Sequence, residues 1–211
     1  MSELSWHDSI GQFLKEAGSA APTPGGGSTS ALAAALGAAM TSMSANLSQG
    51  EKYAHIHEQI TEVIRSMETL ITRCEELMGA DIRSFEQYMT ALKLPKGTDE
   101  EKRYRIHALQ SAVIAAIEVP IRLLEVCRDG LSHAYSIAEA SNKNVISDLG
   151  IGAILFEAAA QSALLTVDIN LASLKDFDVK QSYEAKTAAL IREIAQIKEQ
   201  TLLIVRNRIA N

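Results

Sequence analysis

Prolines are scarce in this sequence, four in 211 residues, and cysteines scarcer still at two. Few prolines leave long segments uninterrupted, and because none of them alternates apolar and polar residues as a strand does, helix is the element left to build with. Cys74 and Cys127 each fall within an apolar helical pattern, which reads as two buried thiols rather than a disulfide or a metal pair. No His or Cys motif has metal-ligand spacing; His55 and His57 are two apart and diverge on a helix. Cations are not in surplus either. Twenty Lys and Arg against 26 Asp and Glu give a net charge of −6, which argues against nucleic acid as a partner. Anionic small molecules stay open, because a few local cations can outweigh the mean field. The sequence also lacks an unbroken apolar run of the roughly 18 residues a membrane span needs, and its start, MSELSWHDSIGQF, has neither the basic residues nor the apolar run of a secretion signal. The expectation is a cytoplasmic protein without a membrane partner. Internal repeats and low-complexity linkers are absent.

What is present is 47% apolar residues arranged in long helical periods. The expected architecture is all-α: one domain over residues 1–211, an up-and-down bundle of long helices, one kinked by proline, with small-residue helices at its centre. The chain is organised around Pro22-Thr23-Pro24-Gly25-Gly26-Gly27-Ser28-Thr29-Ser30 and the helix expected over 28–48. Of the 24 residues from Gly25 to Ser48, 18 are Gly, Ala, Ser or Thr, so neighbouring backbones can come close. The prolines restrict the approach, and Ser28 or Thr29 is the expected cap. Two readings stand side by side. In one this is a well-made helix start in a core; in the other, a glycine-lined pocket floor offers free amides to an anion or a carbonyl oxygen.

A short amphipathic helix is expected over 5–17, capped by Ser5 and stopped by Gly18. Over 53–93 one seam runs through Ile60, Ile64, Met67, Ile71, Cys74, Met78, Asp81, Phe85, Tyr88 and Leu92 in alternating steps of four and three. Asp81 stands where Leu or Ile belongs. A carboxylate there loses hydration, which raises its pKa unless a cation or several donors compensate, and buried acids of that kind serve proton transfer near neutral pH. The plainer alternatives are a small rotation that exposes Asp81, or a structural pairing with Arg or Lys.

Thr98 and Glu101 form a capping box, and Ile106, Leu109, Val113, Ile117 and Leu124 point the next helix inward, with Pro120 kinking or interrupting it. Lys96, Lys102, Arg103 and Arg105 gather at its start, as a solvated basic face or as partners of a carboxylated tail. In Asn142-Lys143-Asn144-Val145-Ile146-Ser147-Asp148, the polar residues read equally as turn and cap groups or as pocket lining, with Ser147 or Asp148 capping a second small-residue helix that ends near Leu174. Asn170 falls on that helix's inner face, where a buried amide needs partners. The last helix is expected over 180–209, on the outside.

Six segments in order, residues 22–28, Asp81-Ile82-Arg83-Ser84-Phe85, Leu94-Pro95-Lys96 with Thr98-Asp99-Glu100-Glu101-Lys102, Val119-Pro120, Asn142-x-Asn144-x-x-Ser147-Asp148 and Ile169-Asn170-Leu171, resemble the formiminotetrahydrofolate cyclodeaminase/methenyltetrahydrofolate cyclohydrolase family. The resemblance covers nearly the whole chain. It departs from the family pattern at Ser141, where Gly is usual, and at Thr166, where Asn is usual.

This resemblance implies a helical homodimer acting on a one-carbon-substituted tetrahydrofolate as substrate, with no permanently bound cofactor and no metal. The two family reactions meet at 5,10-methenyltetrahydrofolate, and both call for a proton donor and acceptor at one carbon. Asp81 aligns with the family's acid/base. Gly25, Gly26, Gly27 and Ser28 are then expected to hold pterin or carbonyl groups, Lys96 and Arg105 the glutamate carboxylates, and Asn142, Asn144, Asp148 and Asn170 to line the pocket. These 211 residues contain no formiminotransferase, which inclines the expectation toward the cyclohydrolase. The competing expectation is a non-catalytic folate-binding or scaffold protein of the same shape, recognisable by an exposed Asp81 far from the glycines.

Overall fold

The computed structural model describes residues 5–211. Six α-helices follow one another: α1 Ile10–Ala17, α2 Gly26–Asn46, α3 His57–Leu92, α4 Asp99–Ile137, α5 Ile146–Leu171 and α6 Phe177–Ala210, with short 3-10 turns before α3 and α5. Among the described residues there is no strand.

Local chemistry sets most of the helix ends. Ser9, not Ser5, caps α1 by accepting the Gln12 amide. Ser5 instead joins the preceding turn, its hydroxyl accepting the His7 amide. Thr98 and Glu101 complete both bonds of the expected box at the start of α4. At α5 the expectation is corrected. Neither Ser147 nor Asp148 caps it; Asn142 caps the 3-10 turn before it, and Val145 precedes the helix without a side-chain bond. Arg208 from α6 closes the far end of α4, its guanidinium donating to the carbonyls of Ala138 and Ser141 at 2.6 Å each.

Cross-links show neighbouring long helices running antiparallel. Gln59 near the start of α3 donates to the Ser136 carbonyl near the end of α4, and Ser44 near the end of α2 donates to the Val145 carbonyl beside the start of α5. α2 and α5 pack along each other, and glycine allows it. A Cβ at Gly37 would stand 3.1 Å from the Gly152 carbonyl oxygen, and one at Gly152 would stand 3.0 Å from that of Gly37. Phe156, fully buried, fills the space left over Gly37 and Gly130. By length and composition α5 would pass for a membrane span, yet one side of it is packed within the bundle against α2, α4 and α6.

The α3 seam divides in two. Ile60, Met67, Cys74 and Met78 are buried, with Val63, Leu70 and Leu77 alongside them. From Asp81 onward the same stripe, Phe85 and Tyr88 included, is only half-buried. Ile106, expected inward, is 47% exposed, because α4's first turns project past the neighbours that cover Val113 and Ile117.

Candidate active site

An α-helix begins with amides that have no intrahelical acceptor, and at α2 nothing local meets them. Gly25 is the residue before the first turn and offers no side chain. The hydroxyls of Thr29 and Ser30, which follow, fold back onto the carbonyls of Gly25 and Gly26. The acceptor arrives from another helix. Asp81 Oδ2 accepts the Ser28 amide at 2.9 Å and the Ser28 hydroxyl at 2.9 Å, so an α3 carboxylate does for α2 what a capping residue normally does. Neither expected cap, Ser28 or Thr29, plays that part.

Close approach makes this contact possible. A Cβ at Gly27 would overlap the Asp81 carboxyl, 2.5 Å from Cγ and 2.8 Å from Oδ2. Asp81 is half-buried, and among the described residues no Lys or Arg pairs with it. Burial pushes its pKa above the ordinary carboxylate value, while the Ser28 hydroxyl and amide pull part of the way back by favouring the charged form. Oδ1 has no hydrogen-bond partner among the described residues. The result is an acid held at one oxygen and open at the other.

The carboxyl lies in the wall of a hollow of about 290 Å³. Gly25, Gly26 and Gly27 form one side with Pro22 and Thr23; Ser84, Phe85 and Tyr88 continue the α3 stripe; Ala116 comes from α4 and Thr166, Ile169 and Asn170 from α5. Asn170 is fixed there by proline chemistry. Pro120 has no N–H for the carbonyl of Ala116, four residues earlier, and Asn170 Nδ2 takes that place at 3.1 Å while also donating to the Thr166 carbonyl at 2.8 Å. With Nδ2 occupied by two carbonyls, the amide's orientation is settled, and its Oδ1 is left as an acceptor in the hollow.

Of the expected site residues, Asp81, Gly25, Gly26, Gly27 and Asn170 come together here, and Ser28 reaches the site only through Asp81. Lys96 does not line the hollow; it is exposed in the α3–α4 turn. Arg105 does not either, because its guanidinium is turned to the Leu92 carbonyl, where it closes the end of α3. Asn142, Asn144 and Asp148 lie at the other end of α2. Asn142 donates to the Leu47 carbonyl and the Ser48 hydroxyl, Asn144 donates its amide to Asn142 Oδ1, and Asp148 sits in the first turn of α5. The length of α2, 21 residues, puts them roughly 30 Å from the glycines within one chain. Thr166, Ala116 and Ile169 were not singled out as pocket residues; the signal available was helical spacing, since Thr166 is one turn before Asn170. A wider hollow of about 570 Å³ lies on the face of α3 bearing Arg83, Gln87 and Thr90. Its charged groups, Arg83 and Glu86, are exposed and it has no buried acid, so the smaller hollow is the better candidate for chemistry.

A half-buried, cation-free carboxyl anchored at a glycine-floored helix start, in an all-helical bundle, is an arrangement suited to acid/base chemistry on a small molecule. Residues 9–189 match the model of the formiminotransferase-cyclodeaminase family, and the chain belongs to that family. It is 33% identical over 207 residues to a methenyltetrahydrofolate cyclohydrolase of Methylorubrum extorquens, covering 98% of this chain and 100% of that one. It is also 33% identical to the formimidoyltransferase-cyclodeaminase of Gallus gallus, over 94% of this chain but only 37% of that longer protein. A crystal structure of formiminotetrahydrofolate cyclodeaminase from Thermotoga maritima superposes with a TM-score of 0.86 at 24% identity, covering 95% of this chain and 97% of that one, a likeness of fold.

Proposed function

We propose that this protein is a folate one-carbon enzyme acting at the methenyl carbon of 5,10-methenyltetrahydrofolate, as a cyclohydrolase, with Asp81 as general acid/base. The observation that carries the reading is the Asp81 carboxyl, held at Oδ2 by Ser28 and open at Oδ1 in the glycine-floored hollow. The full-length similarity to a methenyltetrahydrofolate cyclohydrolase supports the choice of reaction.

In this scheme water adds to the cationic carbon between N5 and N10, and the Asp81 carboxylate takes the proton water gives up. The bond from carbon to N5 then breaks, Asp81 returns its proton to N5, and the hydroxyl proton leaves to solvent as the formyl C=O forms. One proton is released overall and the product is 10-formyltetrahydrofolate. Half-buried, the carboxyl has a pKa raised above the ordinary carboxylate value by desolvation, a shift in the direction that favours a proton carrier. The Gly26 and Gly27 amides and Asn170 Oδ1 are suited to polar groups of the pterin, and Phe85 and Tyr88 to its ring faces.

The cyclodeaminase reaction is the second reading, favoured by the similarity to formimidoyltransferase-cyclodeaminases. There N10 attacks the carbon of the protonated formimino group, and the same carboxyl carries the N10 proton to the nitrogen that departs as ammonia. Following methenyl absorbance separates the two. Loss from methenyltetrahydrofolate faster than its spontaneous hydrolysis marks the cyclohydrolase; gain from 5-formiminotetrahydrofolate marks the cyclodeaminase. A protein inert in both assays is neither.

The working form we propose is a homodimer built on α2 and α5. No charged residue occurs between Glu16 and Glu51, and Leu36 and Met43 of α2, with Leu47 just past its end, lie exposed, as do Ile151, Ile154, Leu165 and Ile169 of α5. Exposed apolar side chains gathered in such number mark a face that another surface covers. Ile169 belongs both to this stripe and to the rim of the hollow. At about 290 Å³ the hollow suits a ring system rather than a whole folate, so a second copy seated on the stripe would extend that rim.

A further inference from the structure

Three consecutive hydroxyl residues open α2, and only one of them leaves its own helix. Thr29 and Ser30 donate to carbonyls four residues back, as hydroxyls in helices commonly do. Ser28, completely buried, sends its hydroxyl 53 residues along the chain to Asp81 Oδ2, and its amide goes to the same oxygen. Both donors are thereby used, and with no exposed surface Ser28 has nothing left to offer a ligand. On the other side of the carboxyl, Oδ1 takes up the room left by the missing side chain of Gly27 and has no hydrogen-bond partner among the described residues. Ser84 donates its hydroxyl to the Asp81 carbonyl and holds the backbone of the same residue.

We propose, resting on the acid/base reading above, that Ser28 is a positioning residue rather than a substrate ligand: it pins Asp81 Oδ2 so that Oδ1 alone carries the proton. A carboxyl free to turn about its last bond would present either oxygen in many directions. Two donors on one oxygen leave the other at a single place, and reactions of this kind are sensitive to such placement. The same donors favour the ionised form against burial and so set where the carboxyl titrates. Few other charges intervene. α2 has no ionisable side chain, α4 and α5 present uncharged groups such as Ala116, Pro120, Thr166 and Asn170, and on α3 itself Tyr88 is the other titratable group of the hollow among the described residues.

The test is a pH profile of the full-length protein with methenyltetrahydrofolate, comparing wild type, Ser28→Ala and Ser28→Cys. Removing the hydroxyl takes away one charge-assisted donor, so the limb of the kcat profile belonging to Asp81 should move up by roughly 1 pH unit in Ser28→Ala, with KM nearly unchanged. Cysteine keeps the shape with a weaker donor, and its limb should fall between the other two. A parallel titration by NMR, using carboxyl-13C aspartate and the signal missing from Asp81→Asn, reads the carboxyl without turnover and should show the same order. An increase in KM with the limb unmoved makes Ser28 a substrate ligand and overturns the proposal, as does an Asp81 signal that titrates identically in all three proteins. Wild type inert toward both folates overturns the functional reading instead, and the NMR series then decides by itself whether Ser28 holds the carboxyl.

Discussion

Gly27 and Asp81 approach so closely that a Cβ on the glycine would fall within the carboxyl, 2.5 Å from its Cγ. Because Asp81 caps α2 at that point, a methyl group there must either displace the carboxyl or push α3 away from α2. Gly25 and Gly26 are different: their nearest atoms to an added Cβ are 3.6 and 3.9 Å away, ordinary van der Waals contact. Gly27→Ala is therefore expected to lower kcat by at least the roughly 10²-fold ascribed to a positioned acid/base, whereas Gly25→Ala stays within a few-fold of wild type. Steady-state kinetics on the two variants checks the contrast, and equal losses in both would mean that the glycines serve the ligand and not the carboxyl.

Asp81→Asn is expected to reduce turnover by about 10²- to 10⁴-fold while leaving helical content unchanged. Stability should move the other way. With its folded pKa raised above the ordinary value of 3.8, Asp81 binds its proton more tightly folded than unfolded, so it withdraws stability as pH rises through that window. Asparagine resembles the protonated form and escapes the loss. A plot of Tm against pH for the two proteins should show the variant gaining on wild type from about pH 4 upward and levelling off above the folded pKa; a variant that loses ground over that range would mean the carboxylate is net stabilised by its site.

Periodicity made the helices legible, along with the misplaced acid on the α3 stripe, since a carboxylate in an apolar seam stands out from sequence alone. The partner of that acid was not legible. Ser28 looks like a cap for its own helix, and only the antiparallel alignment of α2 and α3 turns it toward a residue 53 positions away. The cations misled for a related reason: Arg105 has the charge a carboxylated ligand wants, but its reach is taken up by the Leu92 carbonyl. Asn142, Asn144 and Asp148 carry pocket-like chemistry at the opposite end of α2, and spacing in the sequence says nothing about which end a turn will face.

The apolar stripe along α2 and α5 predicts an assembly that a single charge can break. Ile154 and Leu165 are 50% and 70% exposed in the isolated chain, so replacing either by Glu costs little within the fold. In a dimer the same carboxylate would be desolvated without a partner, a penalty of several kcal/mol. Sedimentation should find wild type dimeric and Leu165→Glu shifted to monomer at micromolar concentration. If both sediment alike, the stripe is not the contact between copies.

Asn170 and Pro120 offer the sharpest test of how the hollow is held. Pro120 leaves the Ala116 carbonyl without its helical donor, and the Asn170 amide replaces it. Asn170→Ala alone should strand the Ala116 carbonyl and remove a second donor from the Thr166 carbonyl, costing about 1–3 kcal/mol for the group left unsatisfied. Pro120→Ala alone loses buried ring packing but brings back an amide that can reach Ala116, so in that background Asn170 has less to do. The double variant should then be more stable than the sum of the two singles predicts, by about 1 kcal/mol, because the restored amide and the lost side chain served one acceptor. Urea unfolding of the four proteins measures this coupling. Additive losses would show that Ala116 does not depend on Asn170, and would leave the side chain in the hollow for its Oδ1 acceptor alone.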